Sequence, residues 1–226
     1  MRFRLPFIHL SFVIPHYAFG HPADQSEMQV KPSPHELTVR FTFNLLTVVK
    51  CVRVDADGDQ KLSAQELKAA EPAFTRYLNQ HVHLEVNGQT AAWGEKARFD
   101  YLWPNFAKTP PMPEIEYAAR NVDVTFVLPQ QALLKDFWIE FAFFEQTGPM
   151  QTIRGLYEQD GKIMEVPFSF QEPEYTYDTG FADDPFVLQA EQQAASPATQ
   201  HSPAVWSAVS AAVASLMLMV WRARRR

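Results

Sequence analysis

Residues 54–67 read VDADGDQKLSAQEL, with three aspartates at alternating positions and a serine and a glutamate after them. Asp55, Asp57, Asp59, Lys61, Ser63 and Glu66 fall at positions one, three, five, seven, nine and twelve of a twelve-residue span. That spacing suits a hard divalent cation. An ion such as calcium takes six to eight oxygen ligands, so the chain wraps around it once. It delivers oxygens from alternate residues, one of them a backbone carbonyl at position seven, and closes with a bidentate carboxylate. A second reading asks for no ion. Ser63 to Glu66, SAQE, is a capping box, in which the serine side chain accepts from the third helical amide and the glutamate reaches back to the serine amide. Aspartates just ahead of such a helix start are favoured by its dipole. The two readings compete for Glu66. A cap asks nothing of Asp55 and Asp57, however, which precede Ser63 by eight and six residues, beyond the field of the first turn.

The span resembles the calcium loop of the EF-hand, with the apolar residue expected at position eight supplied by Leu62. It departs from that pattern at position six, where the sharp turn uses glycine and this chain has Gln60. A non-glycine residue in the left-handed conformation costs about 1–2 kcal/mol, which weakens binding without abolishing it. The sequence offers no partner loop, and its seven methionines do not cluster on a helix. Sensor proteins open a methionine-rich groove when loaded, so the expected ion is a structural one. Its affinity is expected at the weak extracellular end of the range, on the order of 10⁻⁴ M.

The elements that must position this loop read mainly as strands. HELTVRFTFN, residues 35–44, places Leu37, Val39, Phe41 and Phe43 on one face with a period of two. VHLEVNGQTAAW turns at Asn87-Gly88, and TIRGLYEQ is joined to KIMEVPFSFQ at Asp160-Gly161, both strong hairpin signals. NVDVTFVLP and FWIEFAFFEQ are further strands. The expected fold is mainly β, an antiparallel sandwich or barrel, with helix confined to one place after the loop. There Leu67, Ala70, Phe74 and Leu78 mark an amphipathic face. Pro72 removes the amide that would bond to Lys68, so a kink or two short helices meeting near Glu71 are expected. LLTVVKCVRV, ahead of the loop, is β-branched and a poor helix former, which predicts entry from a strand or a short helical turn.

The two ends carry targeting signals. Residues 1–20, MRFRLPFIHLSFVIPHYAFG, have the basic start, apolar run and small-residue close of a signal peptide. Residues 204–221 form an apolar run followed by the basic tail 222–226. Eighteen residues at about 1.5 Å rise reach about 27 Å, just enough for a transmembrane helix whose arginines snorkel to the headgroups. The basic cluster would stay cytoplasmic and place the body outside, in the periplasm or at the cell surface. The same layout resembles bacterial C-terminal sorting tails, which are removed during export. Residues 187–203 are polar and aperiodic, a linker. Without the two ends, 14 basic residues face 26 acidic ones, a formal charge of −12. That balance excludes nucleic-acid binding through a basic face. The single Cys51 excludes an internal disulfide.

Residues 21–90, from HPADQSEMQV through DADGDQKLSAQEL to HVHLEVNG, are similar to the extracytoplasmic N-terminal part of bacterial membrane proteins of the hydrogenase and urease accessory, nickel-permease-like group. That resemblance implies a short strand segment, one calcium-type loop, a helix containing proline and another strand. Members of the group continue into several membrane helices, so transport is not implied for this chain. His81 and His83 would share one face of a strand, with His35 or His21 as conceivable partners for a transition metal; the plainer alternative is two exposed polar residues. Glu114, Glu116 and Glu140 read as solvent-facing strand positions. Trp93, Tyr101, Trp103 and Trp138 suit either a sugar-stacking platform or a core. No nucleophile elbow, zinc-protease helix or phosphate-binding glycine loop occurs. The reading is therefore an anchored, extracytoplasmic calcium-binding protein and not an enzyme, with a carbohydrate-binding or adhesion module, or an accessory to metal uptake, as the alternatives.

Overall fold

The computed structural model describes residues 24–195. The signal peptide expected at 1–20, the span at 204–221 and the basic tail at 222–226 lie outside the described residues. Among those described, no helix is long and apolar enough to cross a membrane.

The protein is mainly β, with several sheets. In chain order the strands are β1 (Gln25–Ser33), β2 (Glu36–Asn44), β3 (Lys61–Leu62), β4 (Val82–Val86), β5 (Gln89–Ala91), β6 (Arg98–Tyr101), β7 (Met112–Pro113), β8 (Asn121–Pro129), β9 (Asp136–Phe141), β10 (Thr152–Gln159), β11 (Lys162–Phe168) and β12 (Glu174–Asp178). The helices are α1 (Leu45–Cys51), α2 (Ala64–His81), α3 (Phe144–Thr147) and α4 (Pro185–Ala195). Six strands form one sheet in the order β11-β10-β1-β2-β8-β6, four form a second in the order β12-β9-β4-β5, and β3 pairs with β7 alone. The hairpins at Asn87-Gly88 and Asp160-Gly161 form as expected, with all four residues at positive φ. One pairing departs from the expected antiparallel order: β1 runs parallel to β10.

Alternation along the strands turns one row of each sheet inward. Leu37, Val39, Phe41 and Phe43 of β2 are each at most 1% exposed, as are Phe137, Ile139 and Phe141 of β9. Rings from the two sheets meet: Phe41 lies edge-on to Phe141 at 6.1 Å, and Phe137 stacks near Tyr157 at 6.0 Å. The arrangement is consistent with a β-sandwich. Trp93 closes one side, 5.3 Å from Phe41 and 5.5 Å from Phe126, and its indole N–H donates to the Val82 carbonyl at 2.6 Å.

Helix is not confined to one place. α1 forms because Asn44 caps it, its side chain accepting from the Thr47 amide at 2.9 Å, and because Leu45, Thr47 and Val48 are buried. Tertiary burial here overrides the weak propensity of β-branched residues. α2 is a single helix through Pro72, not two short ones. Pro72 lies on the exposed side, where the Lys68 carbonyl it leaves unbonded can turn to water. An interior proline costs about 3 kcal/mol, whereas burying Leu67, Phe74 and Leu78 returns about 1.5–3 kcal/mol each. The second compact unit begins at Phe181, and within it α4 makes residues 185–195 helical where the sequence reads as the start of a linker. Its alanines, glutamines and glutamate are good helix formers.

Phe41 contacts Phe43, Trp93, Phe126 and Phe141. Phe41→Ala is expected to lower unfolding free energy by about 3–5 kcal/mol, read as a lower urea midpoint with an unchanged slope; a loss under about 1 kcal/mol would contradict this packing.

Candidate metal centre

The acidic loop sits in the connection that carries the chain from β2, in the six-stranded sheet, to β4, in the four-stranded one. α1 ends as Val52 turns extended at φ −141°, and Val54, 4% exposed, anchors the loop's entrance. At the exit Lys61 and Leu62 pair with Pro113 and Met112. Leu62 and Met112 are 1% and 2% exposed, so this short ladder pins the loop to the segment between β6 and β8.

Between those anchors the carboxylates fold the backbone. Asp55 accepts from the Gly58 amide through Oδ1 at 2.7 Å and from the Gln60 amide through Oδ2 at 3.0 Å. Asp57 accepts from the Asp59 amide at 3.1 Å and Asp59 from the Lys61 amide at 2.8 Å. Gln60 takes φ +64°, the left-handed conformation that position six demands, and Gly58 takes φ +79°. One carboxylate oxygen from each of Asp55, Asp57 and Asp59 lies within 4.8 Å of the other two. That distance decides what the cluster fits. Oxygens on one sphere of about 2.3–2.6 Å around a calcium ion stand at most about 5 Å apart, so the three can share one ion. Their mutual repulsion in water is only about 1 kcal/mol per pair, small enough for the backbone hydrogen bonds to sustain.

Glu66 is held differently. Its Oε2 accepts from the Ser63 amide at 3.0 Å and the Ser63 hydroxyl at 2.8 Å, and the Ser63 oxygen in turn accepts from the Glu66 amide at 3.2 Å. The capping box is therefore complete. Its Oε1 accepts from the Ala56 amide at 2.9 Å, tying the end of the span to its second residue. The cap and the ring around the aspartates thus share one residue, and Glu66 is not among the converged carboxylates. The Ser63 amide, followed by the Ala56 amide and the Ser63 hydroxyl, holds the Glu66 carboxyl below its ordinary value of 4.5.

Tyr117 and Glu114, which the sequence does not single out for this site, line a cleft of 330 Å³ together with Asp55 and Gln60. They lie in a 3-10 turn over Glu114–Ala119, so Glu114 and Glu116 are not strand residues. Burial pushes the Tyr117 phenol up, and the charges of Asp55, Glu114, Asp59 and Glu66 add to the shift. The signal that finds these residues is β7 opposite β3, a pairing between segments about fifty residues apart in sequence.

The other candidates separate. His81 ends α2 with its ring 4.3 Å from Tyr77, while His83 in β4 meets Glu140 at 2.7 Å. Among the described residues the three aspartates are the only His/Cys/Asp/Glu group gathered tightly enough for an ion, so His81, His83 and His35 do not assemble; His21 lies outside the described residues. Trp93 and Trp103 are 3% and 8% exposed and belong to the interior, not to a sugar platform. Tyr101 stacks on Phe106 at 3.8 Å and donates to Glu71 at 3.1 Å, clasping α2.

A depressed carboxyl stabilises the fold above its unfolded pKa and loses that contribution as pH falls through the folded one. Unfolding free energy should therefore fall below about pH 4.5 in the native chain, and Glu66→Gln should flatten that acid limb while lowering stability at neutral pH; identical pH profiles would show that the box contributes nothing. No family model matches this chain, and no curated protein matches it.

Proposed function

We propose that this protein is a calcium-binding domain of the extracytoplasmic space, held to a membrane by the apolar run near its C terminus, in which a single ion rigidifies the junction between the two sheets. Asp55, Asp57 and Asp59 each supply a carboxylate oxygen, Lys61 its carbonyl, Ser63 an oxygen directly or through water, and Glu66 the closing carboxylate. The observation that carries this reading is the convergence of the three aspartates within 4.8 Å on a backbone that already wraps in one turn. The oxygen-only donor set favours calcium or another hard cation over nickel, copper or zinc, which prefer imidazole and thiolate. Membrane anchoring and compartment rest on the sequence alone.

The role of the ion is mechanical. It would neutralise the crowded aspartates and lock the start of α2, whose buried face packs Phe74 against Phe43 at 5.4 Å. With a dissociation constant on the order of 10⁻⁴ M, about 1 mM calcium stabilises the folded state by RT ln(1 + [Ca]/Kd), about 1.4 kcal/mol. For a domain of this size that is a rise in melting temperature of about 3–6 °C.

Isothermal titration of the full chain with calcium should show one site, and adding chelator should lower the melting temperature by that amount. Asp57→Asn, which keeps an oxygen for the Asp59 amide but loses the charge, should weaken binding at least about tenfold. Gln60→Gly should retain binding and tighten it by up to about tenfold as the left-handed strain is relieved. A melting curve indifferent to chelator, together with a flat titration, would end this proposal.

A further inference from the structure

We propose that the surface beside the acidic loop is a self-association face, on which Ile115 of each of two copies enters the cleft of the other. Ile115 is 90% exposed, the most exposed of the large apolar side chains among the described residues. An apolar residue so far out of the surface gains free energy by leaving water. It belongs to the 3-10 turn Glu114–Ala119, and its neighbours Glu114 and Tyr117 line the 330 Å³ cleft whose apolar wall is Val49, Val52, Val54 and Leu62. The knob and the hole are therefore adjacent on one face. A two-fold axis at the rim would let each knob fill the other copy's hole, the reciprocal arrangement that makes a closed pair. A volume equal to about ten waters at about 30 Å³ each admits a four-carbon side chain with room to spare.

Charge selects the second copy as occupant. Arg53 stands exposed on the rim of the cleft. Its guanidinium donates only to the Asp55 and Ala56 carbonyls, at 3.1 and 3.5 Å, and has no carboxylate partner among the described residues. Ile115 is flanked by Glu114 and Glu116; Glu116 is engaged by Arg120 at 3.1 Å, whereas among the described residues no ion pair engages Glu114. An entering Ile115 thus carries Glu114 to the rim where Arg53 waits, and the symmetry makes that ion pair twice. Asp55 and the resident Glu114 line the same cleft and repel an incoming Glu114, so Arg53 must outweigh both for the pair to close. On the calcium reading above, the bound ion offsets that repulsion, so association should be stronger with calcium. The calcium dependence rests on that reading, and the contact itself does not.

Sedimentation velocity of the full chain, from about 10 µM to about 1 mM, tests this in millimolar calcium and in chelator, with calcium titrations run on the same samples. A concentration-dependent monomer–dimer equilibrium is expected, with a dissociation constant at least about tenfold smaller in calcium. Ile115→Asp should sediment as monomer with an unchanged melting curve, and Arg53→Glu, which also gives up its bonds to the loop carbonyls, should likewise sediment as monomer. Arg53→Glu combined with Glu114→Arg should restore the dimer through the exchanged charges. A native chain that stays monomeric across the range while binding calcium overturns the proposal. So does an Ile115→Asp variant that associates like the native chain. A dimer of equal strength in chelator from a chain that does not titrate with calcium supports the contact and removes the calcium reading instead.

Discussion

Three carboxylates held within 4.8 Å of one another repel, and what holds them is the backbone they have themselves folded. Each aspartate spends an oxygen on an amide two to five residues ahead, so the loop cannot relax its charges apart without breaking the turns that define it. Local geometry and charge crowding are thus one feature. A hard dication at the centre, as proposed, would satisfy the carboxylate oxygens while leaving the amide bonds in place. The account of function depends on this constraint more than on any property of the sheets.

The sheets set where the constraint acts. β2 ends at Asn44, whose side chain starts α1, and the loop and α2 then deliver the chain to β4 in the opposite sheet. The β3–β7 ladder and the clasp of Tyr101 and Lys68 on α2 fix the insertion at both ends: Lys68 pairs with Glu71 at 3.0 Å and lies 5.3 Å over the Tyr101 ring. Loosening the loop would therefore be felt at the Phe43–Phe74 contact in the core, which is why a solvent-exposed site can influence global stability.

Much of this was legible in the residues. Asn87-Gly88 and Asp160-Gly161 announced their hairpins because the demand for positive φ is local, and β2 was readable from alternation alone. The aspartate spacing marked a tight turn, and Gln60 its one left-handed position without glycine, because carboxylate-to-amide bonds two to five residues apart are also local. Long-range facts were not legible. The parallel pairing of β1 with β10 joins segments more than a hundred residues apart, and nothing in either strand names its partner. α1 was obscured because β-branched residues make weak helices unless a cap and a core claim them. Pro72 misled because its cost is local whereas the burial that outweighs it is tertiary. Glu66 was contested between cap and ion in the sequence; the fold gives its two oxygens to Ser63 and to the Ala56 amide, apart from the three converged aspartates.

The central claim is that Asp55, Asp57 and Asp59 share one ion. Crystals of the protein grown in millimolar calcium, with diffraction collected at a long wavelength where calcium scatters anomalously, test it most directly. The account predicts one anomalous peak amid the three aspartates, with an oxygen from each at about 2.3–2.6 Å. Well-ordered aspartates surrounding only water under those conditions would contradict it.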